Sequence, residues 1–161
     1  MTIKAGDSLP AATLYVMAGD GPQARTIDDL FKGKTVAFFG VPGAFTPTCS
    51  ARHLPGFVEN AAALKEKGID EIICFAVNDA FVMDAWGKDH DAGRAVMMVA
   101  DGSADFTKAA GLELDLSEHG LGLRCQRFSM VVKDGTIESI NIDPAGDFDK
   151  TSAEKMLESL S

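Results

Sequence analysis

The sequence predicts an α/β fold, a mixed central β-sheet with helices on both faces. Two observations carry that prediction. Three short, apolar, β-rich runs, TVAFFG (35–40), EIICFAV (71–77) and VMMVA (96–100), alternate with stretches of helical character. Two further β-rich runs, RFSMVV (127–132) and TIESINI (136–142), flank Lys133-Asp134-Gly135, whose Asp-Gly pair signals a tight hairpin. Strands separated by helices run parallel and a hairpin adds antiparallel ones, so the sheet is mixed. Taken alone, this order leaves several α/β folds open.

The elements follow in chain order. TLYVM (13–17) reads as a strand and TIDDLF (26–31) as a short helix or turn. TVAFFG is the central strand, closed by Val41-Pro42-Gly43. A helix starts at Pro47 and runs to about Lys67, where Gly68 supplies a C-terminal cap. Pro55 lies inside it and removes the hydrogen bond to the Ala51 carbonyl, Gly56 weakens the helix further, and a kink is expected. That kink is either a plain bend around the core or a functional hinge. Further helices are expected from Ala80 to about Asp89 and from Ser103 to Ala110, the latter closed by Gly111. Thr151-Ser152-Ala153-Glu154 has the pattern of a capping box opening a last amphipathic helix.

Length and charge narrow the class. The 161 residues are read as one domain, 1–161, large enough for a core without staples. A net charge of −9 argues against nucleic acid or an anionic membrane surface as partner, because both demand a basic face. No apolar run approaches the roughly 18 residues of a membrane span. MTIKAGDSLP has neither the apolar stretch of a signal peptide nor the arginine-rich helix of a transit peptide, so the expected location is cytoplasmic. Three cysteines, Cys49, Cys74 and Cys125, are an odd number without metal-binding spacing, and fit reduced thiols better than a disulfide framework.

Cys49 is the candidate for chemistry. Thr46 suits a helix N-cap and Pro47 the first helical position, which puts Cys49 third, inside the first turn. Unpaired N–H groups and the positive end of the helix dipole favour an anion there, and the thiolate is the reactive form of cysteine. A small apolar side chain packed beneath a turn is the competing reading of the same position.

Pro42, Thr46 and Cys49 form P-x-x-x-T-x-x-C, which resembles the active-site signature of the peroxiredoxins. The resemblance extends over nearly the whole chain, through HLPGF (53–57), VNDAFVMDAW (77–86), ADGSADFTKAAGLELDLSEHGLGLR (100–124) and RFSMVVKDG (127–135), and is similar to the type II, peroxiredoxin-5-like branch. It implies a thioredoxin-like fold and a thiol peroxidase without metal, flavin or haem. Cys49 would attack hydrogen peroxide or an alkyl hydroperoxide, become a sulfenic acid and be restored by glutathione and glutaredoxin, with thioredoxin as a further donor. It also implies that Arg127 is the site arginine; from sequence alone, an exposed arginine on an edge strand is the better reading. Thr46 would offer its hydroxyl to the peroxide, and Pro42 would shield the sulfur without adding a competing donor. The resemblance further implies a homodimer, with Phe45 and the region of Ala80, Phe81, Val82 and Trp86 at the contact beside the site. A thioredoxin-like binding or chaperone module without turnover is the alternative.

The remaining candidates weigh less. His53 is four residues after Cys49 and would make a Cys/His pair, but no orienting Asp or Asn stands out, and hydrogen bonding around the kink is its expected role. His90 and His119 are read as solvated in polar loops. Cys74 is mid-strand and reads as core, although some plant relatives carry a cysteine at the matching place. Cys125, expected in a loop, is a bystander. The stretch 143–154, where animal peroxiredoxin-5 proteins carry a resolving cysteine, has none here, which points to a one-cysteine cycle.

Overall fold

A computed structural model describes residues 2–160. Its centre is a seven-stranded mixed sheet in the order β2-β1-β5-β4-β3-β8-β9. The strands are β1 (Thr13–Ala18), β2 (Gly21–Thr26), β3 (Thr35–Gly40), β4 (Glu71–Ala76), β5 (Met97–Ala100), β8 (Arg127–Lys133) and β9 (Thr136–Asp143). β3, β4 and β5 run parallel, whereas β8 pairs antiparallel with β3, and β1 with β5. The three parallel strands are the three apolar runs of the sequence; β3 and β4 are buried on both faces, as parallel strands are, and β5 at its Val99–Ala100 end. β8 and β9 form the expected hairpin, with Asp134 and Gly135 at φ 50° and 80° in the turn.

Helices cover both faces. On one lie α2 (Leu54–Glu59), α3 (Ala61–Glu66), α4 (Ala80–Asp89) and α6 (Ala153–Leu160), packed on Ala37, Phe39, Ile72 and Cys74. On the other lie α1 (Ile27–Phe31) and α5 (Asp105–Ala109), packed on Phe38, Phe75 and Phe128. Phe38 is the hub of that second core: the rings of Phe31, Phe75, Phe106 and Phe128 all meet it edge-on at 5.1–5.7 Å. Each such pair adds about 0.5–1.5 kcal/mol beyond area burial.

Several elements differ from expectation. The helix from Pro47 begins where the sequence placed it, but from Cys49 to His53 it widens into a π turn, closed by the Leu54 N–H donating to the Cys49 carbonyl. The cause is Pro55: a ring at this position collides with the carbonyl four residues back, and opening the turn by one residue relieves it. The helix breaks again at Asn60, whose side-chain amide donates to the Gly56 carbonyl at 2.8 Å and competes with the helical ladder. The Ser103–Ala110 helix shortens to α5, because the Asp101 carboxylate takes the N–H groups of Phe106 and Thr107 and fixes the start. At α6 the cap is Ser152, whose Oγ accepts the Lys155 N–H; Thr151 is engaged elsewhere and Glu154 bonds Asn60, so there is no Thr151/Glu154 box.

β2 and the small antiparallel pair β6 (Glu113–Leu116) and β7 (Gly122–Cys125) were not expected. β2 is mostly exposed and β6 and β7 are only four residues long each, so the apolar signal of a strand is weak. Cys125 therefore ends a strand rather than lying in a loop. His90 is also less solvated than expected, with its ring against Trp86 at 5.8 Å. Trp86 itself is fully buried and belongs to the core, leaving Phe45 (52% exposed) and Phe81 (63%) as the surface aromatics of that region.

Candidate active site

The site forms where β3 ends. Val41 to Thr46 leave the sheet as a tight loop held from three sides. The Asn78 side chain accepts the Ala44 N–H at 3.0 Å, Arg124 donates to the Pro42 carbonyl at 3.3 Å, and the Cys125 thiol donates to the Val41 carbonyl at 3.1 Å. Gly43 leaves room for Arg124: a Cβ there would meet the guanidinium at 2.7 Å and displace its tip. Phe45 sits in this loop at φ 66°, a left-handed conformation that costs a non-glycine residue about 1–3 kcal/mol.

Thr46 starts the helix with its backbone: its carbonyl accepts the Ser50 N–H at 2.9 Å. Its hydroxyl donates back to the Gly43 carbonyl at 2.7 Å, so the side chain pins the loop and is not the helix cap expected of it. Cys49 follows as the third helical residue and is fully buried.

Arg127 reaches Cys49 from the sheet. It is the first residue of β8, and β8 pairs with β3 in a register that sets Gly40 opposite Phe128. The guanidinium thus comes to the end of β3, where the Cys49 turn begins. Its Nη2 donates to Cys49 Sγ at 3.1 Å and its Nη1 donates to His53 Nδ1 at 2.8 Å. One planar group bridges both ends of the π turn, a task suited to the fixed fork of arginine.

His53 is buried against the Phe39 ring at 4.8 Å. A guanidinium only donates, so His53 Nδ1 is the acceptor and carries no proton; Nε2–H donates to the Thr151 carbonyl at 2.9 Å. The ring is neutral. Burial, and then the adjacent Arg127 charge, push its pKa down to about 3. It therefore cannot serve as a resting-state base toward Cys49, and the Cys/His pair does not form: both ring nitrogens are already committed. The expected hydrogen-bonding role at the kink holds.

The other thiols are inert by position. Cys74 and Cys125 are fully buried, and burial raises both well above the ordinary thiol value. Among the described residues, no group of three or more His, Cys, Asp or Glu side chains is arranged to hold a metal ion.

The structure therefore unites Cys49 with Arg127 and sets Pro42 and Thr46 in the loop that leads to them. Asn78, Arg124, Asp143 and Phe148 support this arrangement and were not singled out from sequence, and Thr151 was read only as part of a helix cap. Of these, Asn78 and Arg124 lie inside blocks that carried the resemblance, and that was their available signal.

Fold and site together define a thioredoxin-like protein organised around one arginine-held cysteine. The family model described as Redoxin matches residues 4–157. Peroxiredoxin-2B of Arabidopsis thaliana is 48% identical over 159 residues, covering 98% of each chain. The solved structure of reduced Prx3 from Vibrio vulnificus in complex with hydrogen peroxide is 45% identical, with a TM-score of 0.95 over 99% of this chain and 100% of that one. The chain belongs to the redoxin family, as a type II peroxiredoxin, and its activity is that of a thiol peroxidase.

One expectation is overturned by the same comparisons. The chloroplastic Peroxiredoxin-2E of Arabidopsis thaliana is 46% identical over 99% of this chain and 70% of its own length, nearly as similar as Peroxiredoxin-2B. Similarity in this domain does not separate compartments, and the cytoplasmic assignment does not stand.

Proposed function

We propose that residues 1–161 act as one peroxidase domain in which Cys49 alone carries the redox cycle, with glutathione and glutaredoxin restoring it and thioredoxin as a further donor. The observation that carries this reading is the burial of the other two thiols in strands β4 and β7, together with the lack of any cysteine between Asp143 and Glu154. A bridge requires Cα atoms within about 7 Å and aligned Cβ vectors, and Cys74 is held inside the buried strand β4, which would have to open to supply it.

The chemistry follows from the geometry. The Cys49 thiolate attacks one peroxide oxygen in line; the S–O bond forms, the O–O bond breaks, and hydroxide or alkoxide leaves and takes a proton. Arg127 holds the sulfur before reaction and faces the charge that develops on the departing oxygen, the kind of preorganised donor that lowers such barriers most. Thr46 fixes the loop and keeps hydroxyl lone pairs for a peroxide O–H, while Pro42 walls the sulfur without an N–H of its own. The sulfenic acid then condenses with an incoming thiol: an S–S bond forms and water leaves.

Two copies are proposed to associate through the exposed Phe45 and Phe81 beside this site. Phe45 keeps an exposed aromatic ring on a strained backbone, and a surface of that kind is accounted for by a partner.

Mass spectrometry after one equivalent of hydrogen peroxide in excess glutathione tests the cycle. A glutathione adduct on Cys49 is expected. A dominant Cys49–Cys74 or Cys49–Cys125 cross-link would replace the one-cysteine cycle with an internal one.

A further inference from the structure

Three of the five arginines, Arg52, Arg124 and Arg127, gather around Cys49. Arg127 is buried and committed to Cys49 and His53. The other two stand at the rim. Arg52 lies in the same π turn as Cys49 and is exposed, with its guanidinium carbon 4.6 Å above the Phe148 ring. The same ring lies 5.8 Å from the Arg127 guanidinium, so Arg52 flanks the arginine that holds the sulfur. Arg124 is half-buried beside the loop that leads into the turn. Its Nε and Nη1 donate to the Leu121 and Pro42 carbonyls at 2.9 and 3.3 Å, and its Nη2 makes no hydrogen bond among the described residues. A Cβ at Gly43 would lie 2.7 Å from Arg124 Nη1 and 3.1 Å from the Thr46 methyl, which puts this guanidinium next to Thr46. Among the described residues neither Arg52 nor Arg124 forms an ion pair, although the chain carries 24 carboxylate side chains. Even Asp147 and Asp149, on either side of Phe148 in the chain, leave Arg52 unpaired.

We propose that Arg52 and Arg124 form a carboxylate clamp that docks glutathione at the mouth of the Cys49 site, one guanidinium for the γ-glutamyl carboxylate and the other for the glycine carboxylate. The proposal rests on the reading of Cys49 as a thiol restored by glutathione. Recognition has to happen at the rim, because Cys49 is fully buried and an incoming thiol meets the rim first. It also has to overcome charge. The chain carries a net −9, and glutathione is an anion, its two carboxylates outweighing one ammonium, so the field of the whole protein repels it. Two unpaired guanidiniums, one beside the loop before Cys49 and one in the turn after it, reverse that field locally. Each presents a planar fork that takes a carboxylate with two parallel N–H bonds. The ligand suits the arrangement: a tripeptide spans on the order of 10 Å when extended, with a carboxylate at each end and the thiol between.

The docked thiolate attacks the sulfur of the Cys49 sulfenic acid: the S–S bond forms, the S–O bond breaks, and hydroxide leaves and takes a proton to become water. Arg52 and Arg124 touch the ends of the tripeptide and none of the reacting atoms. They therefore set which thiol arrives, and a neutral thiol of equal nucleophilicity gains nothing from them. Stacking on Phe148 holds the Arg52 guanidinium in place before the ligand comes, which reduces the side-chain entropy lost on docking.

The test uses the full chain, oxidised to the sulfenic acid with one equivalent of hydrogen peroxide, then mixed in stopped flow with glutathione or with its diethyl ester, whose carboxyls carry no charge. The readout is the ratio of the two capture rate constants within each protein, because any change in the reactivity of the Cys49 sulfur acts on both thiols alike. Wild type should prefer glutathione roughly tenfold at low salt, the scale of two exposed ion pairs, even though the acidic chain as a whole attracts the cationic ester. The preference should vanish as ionic strength rises from about 10 mM to about 1 M, where the screening length shrinks from about 30 Å to about 3 Å. Arg52→Gln and Arg124→Gln should each lower the ratio about three- to fivefold, and the double variant should show no preference. Arg52→Lys keeps the charge and should keep most of the preference. If Arg124→Gln fails to fold for want of its bond to the Pro42 carbonyl, Arg52→Gln decides alone. Equal capture of both thiols by wild type, or a wild-type ratio in Arg52→Gln, would overturn the clamp and leave glutathione as the reductant. A sulfenic acid that neither thiol captures, with a Cys49–Cys74 cross-link in its place, would overturn the one-cysteine cycle and the clamp with it.

Discussion

Arg127 and Asp143 stand opposite each other across the β8–β9 ladder and make no ion pair. Arg127 turns its guanidinium to Cys49 and His53, and Asp143 turns its carboxylate to the chain from Asp149 to Thr151. The pairing arises from a register shift between Val131 and Val132. Counted straight from the Asp134-Gly135 turn, Arg127 would oppose Ile142; the bulge slips the ladder by one residue and brings the carboxylate into line. A slip of one exchanges the faces of a strand, so this irregularity puts a carboxylate rather than an apolar side chain opposite the site arginine.

The fork of Arg127 sets its expected sensitivity to substitution. Arg127→Ala removes the donor to Cys49 Sγ and leaves His53 Nδ1 without its partner. Loss of one preorganised donor at a developing charge costs roughly 100- to 1000-fold in rate. Arg127→Lys should fail substantially too, because a single ammonium cannot reproduce the planar bridge between sulfur and imidazole. Stopped-flow oxidation by hydrogen peroxide checks both, and an Arg127→Ala rate within a few-fold of wild type would contradict this geometry.

Cysteine replacements should divide cleanly. Cys49→Ser is expected to abolish peroxide consumption, and Cys74→Ser to leave the chemical step intact. Cys125→Ser keeps a hydrogen-bond donor for the Val41 carbonyl and should also retain it. Loss of the fast step in a folded Cys74→Ser protein would mean that Cys49 does not act alone.

What the sequence disclosed follows from where its signals are local. The three parallel strands are continuous apolar runs, and the Thr46-Pro47 start placed Cys49 in the first turn without reference to any other segment. The π turn was hidden because its hydrogen-bond register depends on how the helix relieves the Pro55 ring. The approach of Arg127 to Cys49 depends on the β3–β8 register, which no local pattern encodes; only the family resemblance supplied it. Asp143 was invisible for a similar reason, since its position opposite Arg127 depends on a bulge. β2 is mostly exposed and β7 has no alternation, while the alternation of β6 spans only four residues, too few to be read as a strand.

The single tryptophan offers a direct view of the turn. The Trp86 indole N–H donates to Ser50 Oγ at 2.9 Å, and Ser50 follows Cys49 in the π turn. Oxidation that opens the turn should change Trp86 emission, and reduction by glutathione should restore it. Ser50→Ala leaves a buried N–H unpaired, costing about 1–3 kcal/mol, and should damp the signal. Addition of one oxygen to Cys49, seen by mass, with no change in emission at any later stage would mean that the turn stays wound.

The buried imidazole makes stability depend on pH, with a definite sign. In the native state His53 titrates near 3, pushed down by burial and by Arg127, against about 6.5 in the unfolded chain. Between these values the unfolded state binds a proton that the native state does not, so native stability falls as the pH falls. At about 1.4 kcal/mol per pH unit, acidifying from 6.5 to 4.5 removes roughly 2–3 kcal/mol, and nothing is lost above about pH 7. Asp143 acts in the same direction but in a lower window. Burial raises its pKa, yet the hydrogen bonds from Asp149, Thr151 and Lys150 outweigh that and hold it below the ordinary value. Its contribution is therefore complete above about pH 4 and is lost only as the pH drops below that. Urea unfolding at pH 7 and at pH 4.5 separates the two, because the interval belongs to His53. His53→Gln should be less stable than wild type at pH 7, yet lose markedly less on acidification. An equal loss in both proteins would mean that His53 takes up its proton in the native state, which would break its bond to Arg127.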